Sequence, residues 1–259
     1  MIHPLAQVSA DAKIGPNTRI GAFATVEGGV VVGEGCEIHE HVVLRRGTKI
    51  GHRAKIHSFA VIGGEPQHLK YRGEETFAEI GDDTVVREFV TVNRGTPVGA
   101  GTTKVGPESY LMAYAHVGHD AVVGRGVVLA NNVQLAGHAE VGDYATLGGS
   151  SAMVQYCRVG RYAYVGGFSP VRKDIAPFVL AKGAEEARPF GINAIGLERR
   201  GFTPEAIQRL KRVYRRFFFR EGMSMAKALE SIEVEFGAFP EVEEFLAFAK
   251  ASKSGLAAR

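Results

Sequence analysis

Two short runs hold the residues best suited to chemistry: Ala115-His116-Val117-Gly118-His119-Asp120 and Ala136-Gly137-His138. An imidazole titrates near neutral pH and serves as a general base. A neighbouring carboxylate can fix its tautomer, provided the backbone turns to bring Asp120 onto His119. A glycine N–H can stabilise an oxyanion. The same stretch offers His116, His119 and His138 as the donor set of a zinc site that activates water. Which chemistry is available depends on how the fold brings His119 together with residues around Gly137.

The positioning elements are written in a six-residue period. From Val105 to Val171 every sixth residue is apolar: Val105, Leu111, Val117, Val123, Leu129, Leu135, Val141, Leu147, Met153, Val159, Val165, Val171. The residue two before each is small, as at Ala115, Ala121, Ala139, Ala145 and Ala163, and glycine often follows, as at Gly118 and Gly142. This period fits a short strand and a turn, repeated. The glycine suits a tight corner where a side chain costs strain. Three sides make an eighteen-residue coil, and coils stack at about 4.8 Å. The reading is a triangular parallel β-helix. It places Gly137 one coil above His119, with His138 beside it.

The same phase runs from Ile2 to Ile62 and resumes at Ile80, Val86 and Val92. Residues 64–79 span the length of a coil without its pattern, and 94–104 bulge outward and rejoin. Both are loops on a rigid scaffold, where binding residues concentrate. Cys36 and Cys157 take small inward positions as buried free thiols. His3, His39, His41, His52 and His57 are read as ordinary surface or corner residues.

After Val171 the period ends. The chain divides into a β-helical domain, 1–181, and a connector with an α-helical domain, 182–259. Thr203-Pro204 reads as a helix cap and first turn, with helices from 204 to about 220, 225 to about 236 and 241 to about 250. Residues 199–220 carry eight Lys or Arg against one Glu, whereas 221–246 carry one Lys against seven Glu. The first block is a surface for an acidic partner or complements the second within the helical domain. The 259 residues have a net charge of only +3, which implies no nucleic-acid partner. No signal peptide or membrane-spanning run is apparent, so the expected location is cytoplasmic, without stable membrane insertion.

With these features the sequence resembles the UDP-N-acetylglucosamine O-acyltransferases of lipid A synthesis, over nearly its whole length. The matching segments include QHLKY at 67–71, NRGT at 93–96, TKVG at 103–106, AHVGHD at 115–120, LANNVQLAGH at 129–138 and PFGIN…GLERRGF at 189–202. The resemblance implies a left-handed β-helix, a homotrimer with clefts between subunits, and no tightly bound cofactor or metal. It implies transfer of an (R)-3-hydroxyacyl chain from the phosphopantetheine of acyl carrier protein to the glucosamine 3-hydroxyl of UDP-N-acetylglucosamine. By similarity His119 is the base, Asp120 its orienting partner and Gly137 the oxyanion donor. His68, Lys70, His116, His138, Gln155, Asn193, Arg199 and Arg200 contact substrate, and Gly167 gauges acyl length. Lys211, Arg212, Arg215 and Arg216 then face acyl carrier protein.

Three positions depart from the family pattern. His68 stands where many members carry Asp, Val154 where another His can occur, and Ile195 where an acidic residue is common. A 3-amino UDP-sugar acceptor, forming an amide, therefore competes with the 3-hydroxyl. Two further readings compete with acyl transfer itself: a zinc enzyme like the hexapeptide-repeat carbonic anhydrases, and a noncatalytic trimeric assembly protein.

Overall fold

The structure is a computed structural model that describes residues 1–220 and 222–258. The chain winds as a left-handed parallel β-helix of triangular section, followed by a short helical part. Its sides form sheets of nine, eight and ten strands, most strands being two residues long. Strand pairing repeats every eighteen residues: Val117 lies beside Leu135, Leu135 beside Met153, and Met153 beside Val171. The inward apolar residues are almost fully buried, including Leu111, Val117, Leu135 and Val165. The small companions Ala115, Ala121 and Ala139 close the corners with no exposed surface. Neither Cys36 nor Cys157 is paired. Burial, with Asp174 adding, pushes the Cys157 thiol up to about 11, so it stays protonated.

The corners divide their requirements between two positions. Where glycine follows an inward residue, stacking is what usually demands it rather than an unusual φ, Gly63 at +77° being an exception. At Gly33 an added Cβ would lie 2.5 Å from the Gly51 carbonyl oxygen of the next coil. The positive φ falls two residues later, on residues such as Phe23, His41, Phe59, Phe89, Tyr114, Asp120, His138 and Tyr156. Such a conformation costs about 1–3 kcal/mol per residue. Ring stacking along the edge offsets part of this: Phe23, His41, Phe59, Phe89 and Tyr114 stack with centroids 5.1, 4.9, 5.0 and 4.9 Å apart, worth about 0.5–1.5 kcal/mol per pair.

The two interruptions are corner insertions, and neither replaces a coil. Residues 65–76 connect the strands Val61–Gly64 and Phe77–Ile80, and residues 94–101 connect Thr91–Asn93 and Thr102–Val105. Ile62 pairs with Val92 and Val92 with Val117, so both loops leave the corner directly beneath Gly118-His119-Asp120-Ala121. Counting in sixes hid this coincidence, because the extra residues advance the sequence without advancing the coil.

At the far end, strand Val179–Lys182 continues one side and pairs antiparallel with Arg188–Ile192. Helices α1 (Ala194–Arg199), α2 (Pro204–Phe218), α3 (Met225–Phe236) and α4 (Pro240–Lys250) follow. The Thr203 side chain accepts from Ala206 N–H and Pro204 opens α2, as expected from sequence; α1 was not foreseen. Ile207, Leu210, Val213 and Phe217 give α2 a buried stripe at helical spacing. Arg158 joins the two parts: it donates twice to the buried Asp174 carboxylate, at 3.0 and 2.9 Å, and lies over the Phe248 ring of α4.

Candidate active site

The positive φ of Asp120, +60°, is the turn the sequence required. It brings Asp120 Oδ2 to 2.9 Å from His119 Nδ1, with both residues only 4% exposed. The carboxylate is caged by the 94–101 loop. Oδ1 and Oδ2 accept from Thr96 N–H at 3.0 and 3.1 Å, Oδ2 from the Thr96 hydroxyl at 2.7 Å, and Oδ1 from Gly101 N–H at 3.1 Å. The Thr103 hydroxyl accepts from Asp120 N–H at 2.8 Å. Gly99 lies over the carboxylate so closely that a Cβ there would overlap it. Burial pushes the Asp120 carboxyl upward; the Thr96 hydroxyl, the His119 imidazole and Thr96 N–H outweigh it and hold it below the usual range. Asp120 is thus a fixed negative charge at neutral pH, facing Nδ1.

With Nδ1 engaged, the opposite edge of the ring meets Gly137. A Cβ on Gly137 would lie 2.6 Å from His119 Nε2, so only glycine leaves that nitrogen accessible. Gly137 N–H makes no hydrogen bond among the described residues. His138 accompanies it, its N–H donating to His119 O at 2.9 Å and its ring edge-on to His119 at 5.1 Å. Tyr156, one coil further, stacks on His138 at 4.5 Å and steadies that ring. His116 Nδ1 is 2.7 Å from the Thr91 hydroxyl. Burial, with the neighbouring His119 imidazole adding, lowers the His116 pKa. Burial also lowers His138, against the pull of Asp120 and with help from His119 and His68. Both imidazoles are therefore largely neutral at pH 7. Beside His119 opens a cavity of about 290 Å³ whose walls include Gln67, Asn93, His116, Gln134, Gly137 and Gln155.

The 65–76 loop supplies another wall. His68 meets His119 edge-on at 5.4 Å. The loop is pinned by Arg94, whose guanidinium donates to Gly63 O at 2.8 Å and to the Tyr71 hydroxyl at 2.9 Å. Lys70 is exposed on the same loop. The expected residues His68, His116, His119, Asp120, Gly137, His138 and Gln155 thus converge. Others do not. Asn193 caps α1, accepting from Gly196 N–H and donating to Tyr162 O at 2.9 Å. Arg200 lies over the Tyr144 ring, and Arg199 is exposed nearby in sequence. Gly167 and Phe168 line another cavity, of about 580 Å³, with Phe190. Thr96, Arg94 and Tyr156 hold Asp120, the 65–76 loop and His138 in place, and sequence reasoning left them unassigned, although Thr96 and Arg94 lay within the quoted NRGT segment.

Among the described residues, the atoms that could share a cation are those of His119, Asp120 and His138, within 4.8 Å of one another. This differs from the three-histidine set read from sequence: His116 is turned to Thr91 instead. Asp120 also already accepts from Thr96, Gly101 and His119, which a metal would have to displace.

Comparison with known proteins gives consistent matches. A family described as bacterial transferase hexapeptide (six repeats) matches residues 11–46, 29–64 and 102–137. Another, UDP N-acetylglucosamine O-acyltransferase domain 2, matches 174–257. Curated acyl-[acyl-carrier-protein]–UDP-N-acetylglucosamine O-acyltransferases from Anaeromyxobacter dehalogenans strain 2CP-1 and Syntrophobacter fumaroxidans are 43% and 41% identical, each over 98% of both chains. The solved UDP-N-acetylglucosamine acyltransferase of Francisella novicida superposes with a TM-score of 0.97 at 36% identity, over 100% of this chain and 94% of that one. That of Bacteroides fragilis gives 0.95 at 40% identity over 99% of both.

The cage makes a stability prediction. Because Asp120 titrates below its unfolded value of 3.8, its stabilisation is fully present above that pH and is lost as pH falls through the folded pKa. Thr96→Val removes one hydrogen bond to the charged oxygen. It should cost about 1.5–3 kcal/mol at pH 7, and the deficit should shrink as the pH falls below 3.8. Denaturant unfolding of both proteins across that range checks this; a deficit independent of pH would contradict it.

Proposed function

The chain belongs to the UDP-N-acetylglucosamine O-acyltransferase family, and on that footing we propose its reaction and the residues that carry it. The protein moves an (R)-3-hydroxyacyl chain from acyl carrier protein to the glucosamine 3-hydroxyl of UDP-N-acetylglucosamine, the first step of lipid A biosynthesis. His119 Nε2 takes the hydroxyl proton as the sugar oxygen attacks the thioester carbonyl. Gly137 N–H stabilises the oxyanion of the tetrahedral intermediate. Collapse re-forms the carbonyl, breaks the carbon–sulfur bond, and returns the proton from His119 to the departing thiolate. Asp120 stays ionised and compensates the transient imidazolium. The observation that carries this reading is the His119 ring itself: Nδ1 is held by a caged carboxylate and Nε2 stands over a glycine.

His68, Lys70, His116, His138 and Gln155 are the proposed acceptor contacts. Gly167 is the proposed acyl-length position, with Phe168 beside it, 76% exposed and free to shorten the groove. Asn193, given its capping bonds, acts by shaping the segment that presents Arg199 and Arg200. A homotrimer is proposed on the exposed aromatic edge at Phe23, Phe59, Phe89 and Tyr114 and on Leu69, which is 97% exposed at a loop tip. No helix among the described residues is long and apolar enough to cross a membrane. A cytoplasmic location is proposed because acyl carrier protein is the donor.

The docking surface for that acidic donor is narrower than its charge count. Arg216 bonds Ser231 and pairs with Glu235, and Arg209 pairs with Glu241 at 2.8 Å. Lys211, Arg212 and Arg215 remain exposed on α2 and carry the proposed attraction.

Two experiments test the proposal. UDP-N-acetylglucosamine and its 3-amino analogue are each offered with hydroxyacyl carrier proteins of several lengths, and products are identified by mass spectrometry. An ester of the 3-hydroxyl is expected. His119→Ala should lower turnover at least about 100-fold while retaining the fold, and undiminished turnover would remove His119 as base. Separately, a Lys211→Ala, Arg212→Ala, Arg215→Ala variant should raise KM for the acyl carrier most at low salt, converging on the parent as salt rises. A defect that grows with salt would not fit.

A further inference from the structure

Asn93 opens the NRGT segment, and nothing in the proposed reaction uses it. It is 6% exposed, and its carboxamide oxygen is buried with no hydrogen-bond partner among the described residues. Buried acceptors are rarely left unpaired, because burial without a partner forfeits the hydration of the free group. Nearby donors in the site are committed: the Thr91 hydroxyl to His116, and the Thr96 hydroxyl to Asp120. Space has been kept for the amide, since a Cβ at Gly64, its neighbour in the sheet, would lie 3.2 Å from Asn93 Nδ2.

The placement points to a ligand. Asn93 shares the cavity beside His119 with Gln67, His116, Gln134 and Gln155. It also lies two residues from Thr91, on the same side of one strand, and Thr91 holds His116. Carboxamides and neutral imidazoles both donate and accept, which matches a ligand dense in hydroxyls rather than an alkyl chain. At about 290 Å³ the cavity lies at the small end of ligand sites, the size for a sugar ring rather than a whole nucleotide sugar.

We propose that Asn93 is a substrate-contacting residue whose carboxamide oxygen accepts a hydrogen bond from a ring hydroxyl or the acetamido N–H of the acceptor sugar. The inference rests on the acceptor reading above. The orphan oxygen is the free protein's half of a contact that the sugar completes. A site built this way rejects ligands lacking the matching donor more strongly than an apolar wall would.

The test compares binding of UDP and UDP-N-acetylglucosamine by calorimetry, in the parent protein and in Asn93→Ala and Asn93→Leu. Leucine keeps the branched heavy-atom skeleton of asparagine, with bulkier methyl ends, and removes the unpaired acceptor, so that variant, if it packs, should unfold at the same or a higher temperature. Both variants should bind UDP as the parent does and lose about 10–100-fold in affinity for the sugar nucleotide, with a matching fall in kcat/KM. Retention of the parent's preference for UDP-N-acetylglucosamine over UDP in either variant would overturn the assignment. So would equal losses for both ligands, which would mark a structural role. A parent protein that binds UDP-N-acetylglucosamine no more tightly than UDP would overturn the acceptor reading, and this inference with it. If the leucine variant fails to fold, the alanine variant carries the comparison alone.

Discussion

The hydrogen bond between His119 Nδ1 and Asp120 Oδ2 is the interaction on which the rest of the site depends. Adjacent residues in an extended chain point to opposite sides, so they cannot make this contact without a corner. Here the corner has φ of +60° at Asp120. The resulting buried carboxylate would be costly alone. The loop that Thr96, Gly99 and Gly101 build around it makes the charge tolerable by supplying three donors: Thr96 N–H, the Thr96 hydroxyl and Gly101 N–H. Fold, loop and chemistry are thus one arrangement: the coil sets the corner, the loop cages the acid, and the acid fixes the imidazole.

The β-helix separates stability from function by residue parity. Inward residues make the core, and the corners carry everything else. Corner residues with positive φ are strained in isolation, yet their stacking at coil spacing recovers part of that cost through aromatic columns. Asp120, His138 and Tyr156 occupy one such line of positive-φ corners, each one coil above the last, and His138 and Tyr156 stack. The His119–Asp120 corner uses the same backbone as its neighbours. Different side chains on a repeated turn are enough to convert a structural edge into a cleft.

Much of this was legible in the sequence. The sixfold apolar phase gave the coil, and adding eighteen to His119 gave Gly137. The helix cap at Thr203 was legible too, because caps are local. What escaped sequence reading was nonlocal or masked by irregularity. Thr96 reaches Asp120 across 24 positions, and the extra residues at 94–101 break the arithmetic that located Gly137. The same extras disguised the fact that both loops emerge beneath His119. The corner glycines were recognised as places where a side chain costs strain, but not what imposes it: the next coil's backbone crowds them, while the positive φ lies two residues later. The local partners of some expected site residues were hidden as well. Asn193 caps a helix, and Arg216 answers charges inside the helical part.

The tautomer of His119 tests the central claim most directly. In histidine-labelled protein, nitrogen-15 NMR distinguishes a protonated ring nitrogen from a bare one. Above neutral pH, the His119 ring should hold its proton on Nδ1, facing Asp120, and leave Nε2 bare, the less common form of free imidazole side chains. A His119 ring protonated on Nε2, with Nδ1 bare, would contradict the caged-carboxylate account at its foundation.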